Sequence, residues 1–423
     1  MKRVVPILRP ATTDRRSFLA SVGVSVATGL AWNGCVSDAH VAPRPASPPA
    51  RGLLPAGDLL IDPDLTYVQT GSLGPTPRPV IERTIAVWRE LERDPTALGY
   101  GPLEQGMELV RAKAAALLGC QLRELVITTS TTEGINWVAQ GVALAPGDRI
   151  LTTDQEHPGG RVGWDFVAKR YGATIDVVAI PAGENDAAAI VERFARLVTP
   201  RTRVVAFSHV LTSTGLRMPV AELTALARRA GAISVVDGAQ AAGGIAVDVE
   251  QLGCDVYATS GHKWLLGPKG TGLLYLGDSL GDRLQVIALE DGRAVYSHSV
   301  GVCSIPSVHG LGAAIDYLTT LGIARVEAHN LALHRYAFDA LSKLPRLHIV
   351  SARDGALASP LLTYALPAEV DAWALADKLH TAHRVEVKGV PREFLNGHRV
   401  STHAFNDERD VDRLVAALRT ELG

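Results

Sequence analysis

Short, continuous apolar runs alternate with longer amphipathic segments through most of this chain of 423 residues. The apolar runs are LVITTS, DRILTT, TIDVVAI, RVVAFSHV, AISVVDG and DVYATSG, and segments such as PGGRVGWDFVAKRYG and PVAELTALARRAG separate them. Strands that are apolar on both faces are typical of a mostly parallel sheet with helices on each side. The alternation therefore predicts an α/β domain from about residue 80 to about residue 310.

The part of the chain after this alternation has a different pattern. Helical segments such as GLGAAIDYLTTLG lead to a shorter mixed region, and NDERDVDRLVAALRTELG begins with acidic residues typical of a helix start. We therefore expect a smaller C-terminal α+β domain. The predicted organisation is a signal peptide over 1–39, a flexible proline-rich linker over 40–60, a large domain over 61–310 and a small domain over 311–423.

The first forty residues resemble a twin-arginine export signal. Arg15 and Arg16 precede an apolar stretch that is too short to span a bilayer comfortably, and cleavage after Ala39 fits the small-x-small rule. A lipidated Cys35, a frayed basic terminus or a membrane anchor are the alternatives. The pattern predicts a periplasmic or otherwise exported protein that contacts a membrane only through its export signal or a lipid at Cys35.

Charge and cysteine usage favour small-molecule chemistry. The 42 basic and 44 acidic residues give a net charge of -2 without long runs of either sign, which does not favour nucleic-acid binding. Outside the signal, Cys120, Cys254 and Cys303 are scattered and odd in number. They form neither a disulfide framework nor a metal-binding CxxC pattern, so we expect no metal site.

Polar residues follow the predicted strands at the points where the strands end. In open α/β sheets, ligands bind outside the carboxyl ends of the strands, so we expect these residues to surround a single small ligand. They are Thr131, Thr132, Glu133, His157, His209, Thr212, Asp237, Gln240, Ser260, His262 and Lys263.

Part of this set suits a phosphate group. Thr131 and Thr132 stand where a helix begins, which supplies backbone donors and the positive end of a helix dipole. The hydroxyl of Ser260 and the imidazole of His262 would join them. A bound phosphate is therefore one predicted feature of the ligand.

The other residues suit an aromatic aldehyde. Asp237 can face a ring nitrogen and keep it protonated, His157 can stack on an aromatic ring, and Lys263 can condense with an aldehyde. Together with the phosphate, these features describe pyridoxal 5'-phosphate. Each residue alone has a plainer interpretation as a surface lysine, a turn residue or a helix cap, and only their joint order along the strands favours the cofactor.

The motifs themselves resemble a known family. TSGHKWLLGPKGTGLLYL, VVDGAQAAGG, TTSTTEGIN and DQEHPGG are similar to the motifs of the class V aminotransferase family, pyridoxal-phosphate enzymes that include cysteine desulfurases and isopenicillin N epimerase. The likeness runs from about Tyr67 to the end of the chain. It implies a fold type I homodimer with a seven-stranded, mostly parallel sheet in the large domain and an active site near the subunit interface.

The resemblance also implies roles for the residues that match. Lys263 would form the lysine aldimine, Asp237 would pair with the pyridinium, His157 would stack on the ring and Gln240 would bond its phenolic oxygen. GHRVSTHAFNDERDVDRL is similar to the family's substrate motif and would place Arg399 on the substrate α-carboxylate. The implied phosphate ligands are Thr131, Thr132, Ser260 and His262.

Three departures from the family pattern are visible. No cysteine lies between Val387 and Arg399, so sulfur transfer through a persulfide is disfavoured. Thr212, which we expect on the substrate side, stands where desulfurases usually have Asn, and this is more like the epimerase branch. Val302 stands where the family commonly has a Thr that reaches the partner subunit's phosphate, which puts the cross-subunit contact in doubt.

The resemblance leaves several reactions open. Exported members of the family are similar to periplasmic enzymes that tailor pyoverdine-type siderophores by acting on a glutamate side group. The leading expectation is transamination at the α-amino group of an amino acid or a peptide-borne amino acid. Epimerisation or β-elimination is the alternative, and a non-catalytic binding protein that keeps the fold is a third possibility.

Overall fold

The apolar runs of the sequence form the strands of a central sheet. The structure is a computed structural model that describes residues 52–55, 57–392 and 394–423. Its strands are β1 Thr66–Tyr67, β2 Leu125–Thr128, β3 Arg149–Thr153, β4 Thr174–Val178, β5 Thr202–Ser208, β6 Ile233–Asp237, β7 Val256–Ser260, β8 Gly272–Leu276, β9 His348–Ile349, β10 Leu361–Ala365, β11 Val385–Glu386, β12 Lys388–Val390 and β13 Gly397–Ser401.

Helices alternate with these strands and then dominate the C-terminal part. Proline in the first turn starts several of them, because its fixed φ suits that position. The α-helices are α1 Arg78–Leu91, α2 Pro95–Gly99, α3 Pro102–Leu118, α4 Thr131–Gly141, α5 Pro158–Tyr171, α6 Ala187–Leu197, α7 Val220–Arg229, α8 Val249–Leu252, α9 Ile305–Leu321, α10 Ile323–Leu341, α11 Ala372–His383 and α12 Glu408–Leu422.

The large sheet has seven strands in the order β2-β8-β7-β6-β5-β3-β4. All neighbours pair in parallel except β8, which is antiparallel to both β2 and β7. The predicted α/β fold with a mostly parallel seven-stranded sheet is therefore confirmed.

Both faces of this sheet are buried, as the apolar runs predicted. In β5, Val204 and Ala206 pack into the core beneath α4 and α5, whereas Val205 and Phe207 pack into the core on the opposite face. Successive residues of a strand point to opposite faces, so a strand covered on both sides needs an unbroken apolar run. The same run carries the polar residues at its carboxyl end to one edge of the sheet.

A second sheet lies in the C-terminal part of the chain. Its four antiparallel strands have the order β12-β13-β10-β9, and a separate apolar core forms between this sheet and α10, α11 and α12. The predicted smaller C-terminal sheet domain is thus present. The predicted limit between residues 310 and 311 falls inside α9, which packs against α1 and α3, and the domain limits stay a prediction.

The N-terminal end of the described chain joins the C-terminal part, because β1 pairs in parallel with β11. The predicted signal peptide, the cleavage site after Ala39 and Cys35 all lie outside the described residues. Among the helices of the described ranges, none combines the length and the apolar character needed to cross a bilayer.

Candidate active site

A cleft of about 620 Å³ opens beside the carboxyl ends of the parallel strands. The polar residues that end these strands reach it from separate elements, and β13 contributes an arginine from the small sheet. The structure brings all ten predicted site residues to this one cleft, although their individual roles stay predictions. They are Thr131, Thr132, His157, Thr212, Asp237, Gln240, Ser260, His262, Lys263 and Arg399.

Lys263 lies in the turn that follows β7. Its Nζ makes no hydrogen bond or ion pair with any of the described residues, although the side chain is half-buried. Burial lowers the pKa of Lys263 to about 8, the charge of Arg399 lowers it further, and Asp237 opposes both effects. An amine with a pKa of about 8 is neutral in about a tenth of the molecules at pH 7, far more than for an ordinary lysine, and only the neutral amine is a nucleophile or a base.

The backbone around Lys263 is held tightly on two sides. Gly74 N donates a hydrogen bond to His262 O at 2.8 Å, and a Cβ atom on Gly74 would overlap the carbonyl oxygen of Lys263. The turn closes through Leu266, whose N donates to Lys263 O and whose φ of 57° is in the left-handed region. A buried leucine in this conformation is strained and marks a turn that its surroundings determine.

Asp237 ends β6 and is buried in the wall of the cleft. Its Oδ1 accepts a hydrogen bond from Ala239 N at 2.9 Å, while Oδ2 lies beside Gly160, where an added Cβ atom would come within 2.7 Å. Burial raises the pKa of this carboxyl, and the hydrogen bond and the nearby Lys263 oppose the rise. A buried carboxylate of this kind needs a cationic partner such as a protonated ring nitrogen.

His157 is the N-cap of α5 and faces the cleft. Its Nδ1 accepts a hydrogen bond from Gly159 N at 3.0 Å, so the neutral ring carries its proton on Nε2. Partial burial lowers the pKa of His157 to about 4, and the charges of Lys263, Arg399 and Lys388 add to this effect. A neutral, planar ring fits the predicted stacking on an aromatic ring.

One corner of the cleft combines a helix N-terminus with polar side chains. Thr131 and Ser260 hold each other through their hydroxyls at 2.7 Å, and Ser130 caps α4 by accepting a hydrogen bond from Glu133 N. Beside them, the buried Nδ1 of His262 has no hydrogen-bond partner among the described residues. An unsatisfied buried polar atom beside a helix N-terminus fits an anionic group such as a phosphate.

Arg399 reaches the cleft from β13 and is almost fully buried. Its guanidinium donates to the carbonyl and hydroxyl oxygens of Thr212 at 3.1 and 2.7 Å, and to the side chains of Gln69 and Ser72. All these acceptors are neutral, and Nε has no partner among the described residues. Burial lowers the pKa of Arg399 to about 10, so it stays charged at neutral pH. A buried cation without an anion is prepared for a carboxylate ligand.

Gln240 connects the two halves of the site. Its Nε2 donates to Gly71 O at 2.9 Å and lies 3.3 Å from the hydroxyl of Thr212, and its Oε1 accepts from Trp264 Nε1 at 2.9 Å. These bonds fix the amide orientation, with the NH₂ group on the cleft side. This orientation is compatible with a bond to an oxygen of a bound ring.

Sequence reasoning missed several residues of the cleft. Glu156 lies beneath it and accepts hydrogen bonds from Thr153 Oγ1 at 2.6 Å and from Ser208 N and Oγ at 3.2 and 2.6 Å. Burial raises the pKa of Glu156 to about 7. Its position next to His157 in the sequence was the available signal. The small domain adds further wall residues without any such signal, namely Trp373, Lys388, Val390, Pro391 and Phe394.

Two residues collected from the strand ends do not reach the cleft. His209 is buried behind it, where its Nδ1 lies 3.0 Å from the hydroxyl of Tyr257. Glu133 lies one turn into α4, and its carboxylate accepts hydrogen bonds from Thr129 N and Oγ1. Both side chains satisfy neighbouring groups of the fold, so the expectation that they surround the ligand was wrong.

The donor set fits pyridoxal phosphate on structural grounds. The orphaned Nδ1 of His262 beside the helix N-terminus fits the phosphate, and the buried Asp237 fits the ring nitrogen. Lys263 fits the aldehyde because its amine has no other partner among the described residues. Arg399 remains free for a further anion.

Comparison with known proteins also indicates a pyridoxal-phosphate family. The family model for aminotransferase class-V matches residues 75–414. Isopenicillin N epimerase of Amycolatopsis lactamdurans is 33% identical over 383 residues, covering 85% of this chain and 96% of that protein. Cysteine desulfurase of Salmonella newport is 32% identical, covering 84% of this chain and 92% of that protein.

Solved structures support the fold and the cofactor. The cystine C-S lyase C-DES was solved in complex with its product cysteine persulfide, and a lysine-to-alanine mutant of C-DES was solved with glycine linked covalently to its PLP cofactor. Each of the two structures superposes on this protein with a TM-score of 0.77 and 26% sequence identity. Each match covers 84% of this chain, together with 96% of the mutant chain and 97% of the chain in the product complex. The predicted cofactor, pyridoxal phosphate, is confirmed at the level of the family. The chain belongs to the class V aminotransferase family.

Proposed function

We propose that this protein is a pyridoxal-phosphate enzyme that acts on the α-amino group of an amino acid or a peptide-borne amino acid by transamination. One observation carries the chemistry at an α-amino acid: Lys263, with a pKa lowered to about 8 and no partner among the described residues, shares one cleft with the buried Arg399, whose acceptors there are all neutral. Chemistry at an α-amino acid needs a reactive amine without another partner and a fixed cation that binds the carboxylate of the substrate.

Each of three residues of the cleft would have a separate role in this reaction. Bound pyridoxal phosphate supplies an electron-withdrawing ring that labilises the bonds at the amino acid's Cα. Asp237 keeps the ring nitrogen protonated, and Arg399 orients the substrate through its carboxylate. Lys263 would take the proton from Cα as a general base and, for transamination, deliver it to the carbon of the cofactor's former aldehyde group, which its lowered pKa allows near neutral pH.

Epimerisation or β-elimination is the second candidate. Two observations favour it: two of the relatives, from Amycolatopsis lactamdurans and Streptomyces clavuligerus, are isopenicillin N epimerases at 33% and 30% identity, and the structural neighbour C-DES is a cystine C-S lyase. Both reactions begin with removal of the Cα proton, which is followed by its return to the other face in epimerisation or by departure of the β substituent in elimination, so Lys263 and Arg399 would serve them equally. The products distinguish the three reactions.

We further propose that sulfur transfer through a cysteine persulfide is not the reaction. No cysteine lines the described part of the cleft, and the sequence has none between Val387 and Arg399. Cys254 is buried, and burial raises the pKa values of both Cys120 and Cys303, to about 12 and about 11. Thiols with raised pKa values are poor nucleophiles. Formation of L-alanine and a protein-bound persulfide from L-cysteine would contradict this proposal, whereas sulfide released together with pyruvate and ammonia would indicate β-elimination.

The first experiment is an absorption spectrum of the purified protein before and after borohydride reduction, with peptide mapping of the adduct. We expect a visible chromophore that reduction fixes on Lys263. Amino acids that change the spectrum are then tested for their products. A keto acid formed in one turnover together with an aminated cofactor supports transamination, a D-amino acid supports epimerisation, and pyruvate with free ammonia supports elimination. A protein that takes up no pyridoxal phosphate would overturn the proposal.

We also propose that the protein is exported and forms a homodimer. Arg15 and Arg16 support export through the twin-arginine route, and the family resemblance supports a homodimer. Val302, whose side chain is exposed, stands where we expect the neighbouring subunit to approach. We expect the exported protein to begin at His40, which N-terminal sequencing of the periplasmic fraction would check. The double variant Arg15→Lys with Arg16→Lys should leave the protein uncleaved in the cytoplasm.

A further inference from the structure

Two cations stand directly opposite each other in the wall of the cleft. Lys388 of β12 and Arg399 of β13 are Cα partners in the antiparallel register, and both side chains line the cleft. Side chains that are opposite in such a pair have Cβ atoms about 5 Å apart, and like charges there destabilise the sheet. The pairing therefore has an electrostatic cost in the absence of an anion.

Neither cation has an acidic partner among the described residues. The acceptors of Arg399 are neutral, and Lys388 forms no ion pair there; its Nζ lies 4.8 Å from the centre of the Trp373 ring. Glu386 is the carboxylate whose charge reaches Lys388, but it contacts His380 at 2.7 Å. The pKa of Lys388 is lowered, first by partial burial and then by Arg399.

The acids of the cleft do not neutralise this pair. Asp237 belongs to the ring-binding wall, and Glu156 is occupied by three hydrogen bonds from Thr153 and Ser208. Asp154 accepts a hydrogen bond from Ile180 N. One substrate carboxylate at Arg399 would leave the charge of Lys388 unbalanced.

The wall beside Lys388 is apolar and aromatic. Trp373 is half exposed at the mouth of the cleft, stands against Gly389 and shares this wall with Phe394. Such a surface covers methylene groups, while the cation beside it takes a charged end. The geometry therefore favours a short aliphatic chain that ends in an anion.

We propose, on the basis of the proposed function, that the substrate is an α-amino acid unit with a second carboxylate. Arg399 binds its α-carboxylate, Lys388 binds the second carboxylate, and Trp373 covers the methylene groups between them. Lys388 is thus a specificity-determining residue. This subsite selects acidic amino acids over their amides, which have the same shape but lack the second charge.

The test measures binding of matched pairs to the full-chain holoprotein. L-glutamate is compared with L-glutamine and L-aspartate with L-asparagine, by absorption titration. Glutarate and butyrate, which lack the amino group, are compared as competitors so that chemistry does not contribute. We expect at least one acid to bind about tenfold more tightly than its amide, a usual effect of a charged hydrogen bond.

Variants assign this preference to Lys388. Lys388→Met should bring acid and amide to equal affinity, whereas Lys388→Arg should keep the preference for the acid. Lys343→Met, at an exposed lysine of the small domain, is the control and should change neither affinity.

Two results would overturn the subsite. One is equal binding of acid and amide by the wild type in both pairs, and the other is an acid preference that survives in Lys388→Met. Failure of the proposed function is a different result, because then no amino acid changes the spectrum and no pyridoxal phosphate is bound. That result would remove the subsite proposal together with the proposed function.

Discussion

The amine of Lys263 is the group whose protonation decides the chemistry of the cleft. Burial lowers its pKa to about 8, so its neutral fraction grows as pH rises through that value. Competitive labelling of the cofactor-free protein with an amine reagent, followed by peptide mass spectrometry, should give a labelling rate that levels off above about pH 9. The exposed Lys169 serves as the internal reference. Labelling of Lys263 that keeps rising beyond about pH 10, as for a solvated lysine, would contradict this prediction.

Glu156 makes the stability of the protein depend on pH. Burial raises the pKa of its carboxyl from 4.5 to about 7, so the folded state binds a proton that the unfolded state has lost across that range. Stability contributed at this site is therefore present below pH 4.5 and is lost as pH rises through about 7. Glu156→Gln removes this dependence. Its unfolding free energy relative to wild type should rise by about 3 kcal/mol over the window.

Urea unfolding of both proteins at several pH values measures this change. Glu222→Gln, at an exposed glutamate of α7, is the control and should show a difference from wild type that does not vary with pH. The loss of a carboxylate acceptor for Ser208 and Thr153 adds a constant offset in Glu156→Gln, which the pH dependence separates from the titration. A flat difference between Glu156→Gln and wild type would show that the carboxyl titrates at its ordinary pKa.

At the level of elements, the segment 69–74 forms one wall of the active site. Gln69 and Ser72 accept hydrogen bonds from Arg399, Gly71 O accepts one from Gln240, and Gly74 N donates to His262 O. The segment thereby connects the lysine turn after β7 to β13 of the small sheet. The backbone of this segment packs directly against the lysine turn and the side chains of Gln240 and Arg399, and the glycines at positions 71 and 74 leave room for this close packing.

Gly74→Ala tests this close approach. The added Cβ would overlap Lys263 O, so either the segment or the lysine turn must move. We expect a loss of cofactor affinity and a destabilisation of about 2 kcal/mol, in the range of overpacked sites. Gly183→Ala is the control: its φ of 85° gives strain, but a Cβ there meets nothing within 4 Å. It should lose about 1 kcal/mol of stability and keep its cofactor affinity. Normal cofactor binding by Gly74→Ala would show that the wall is not rigid.

The same elements show what the sequence could predict. The strands β2 to β7 were predictable because a doubly covered strand must be apolar throughout, and the polar residues after them share an edge for the same reason. Strand β8 was not predicted as a separate strand, because its residues were treated only as part of the motif TSGHKWLLGPKGTGLLYL. Lys388 and Trp373 were missed because β12 pairs with β13 only in the tertiary structure. Nothing in the local pattern of residues 388–390 identifies a site.

At the scale of the whole molecule, apolar side chains lie exposed on helices of the N-terminal part. Ile85 and Trp88 are 44% and 60% exposed and stand three residues apart on one side of α1, and Leu109 of α3 is 66% exposed. Both helices pack against α9 with their other sides. Exposed apolar side chains such as the Ile85 and Trp88 pair on α1 are typical of a protein interface, which agrees with the proposed homodimer.

Trp88→Glu should dissociate this dimer. A charge in the apolar centre of an interface costs more than the interface residues around it can offset, so we expect the apparent mass in analytical ultracentrifugation to fall to that of one chain at micromolar concentration. Val177→Glu, at an exposed residue of the edge strand β4, is the matched control and should remain dimeric. Because the resemblance places the active site near the subunit interface, the monomeric variant should also bind pyridoxal phosphate more weakly while keeping its far-ultraviolet circular dichroism. A wild-type protein that sediments as a single chain would overturn the dimer and assign the exposed side chains of α1 to another partner.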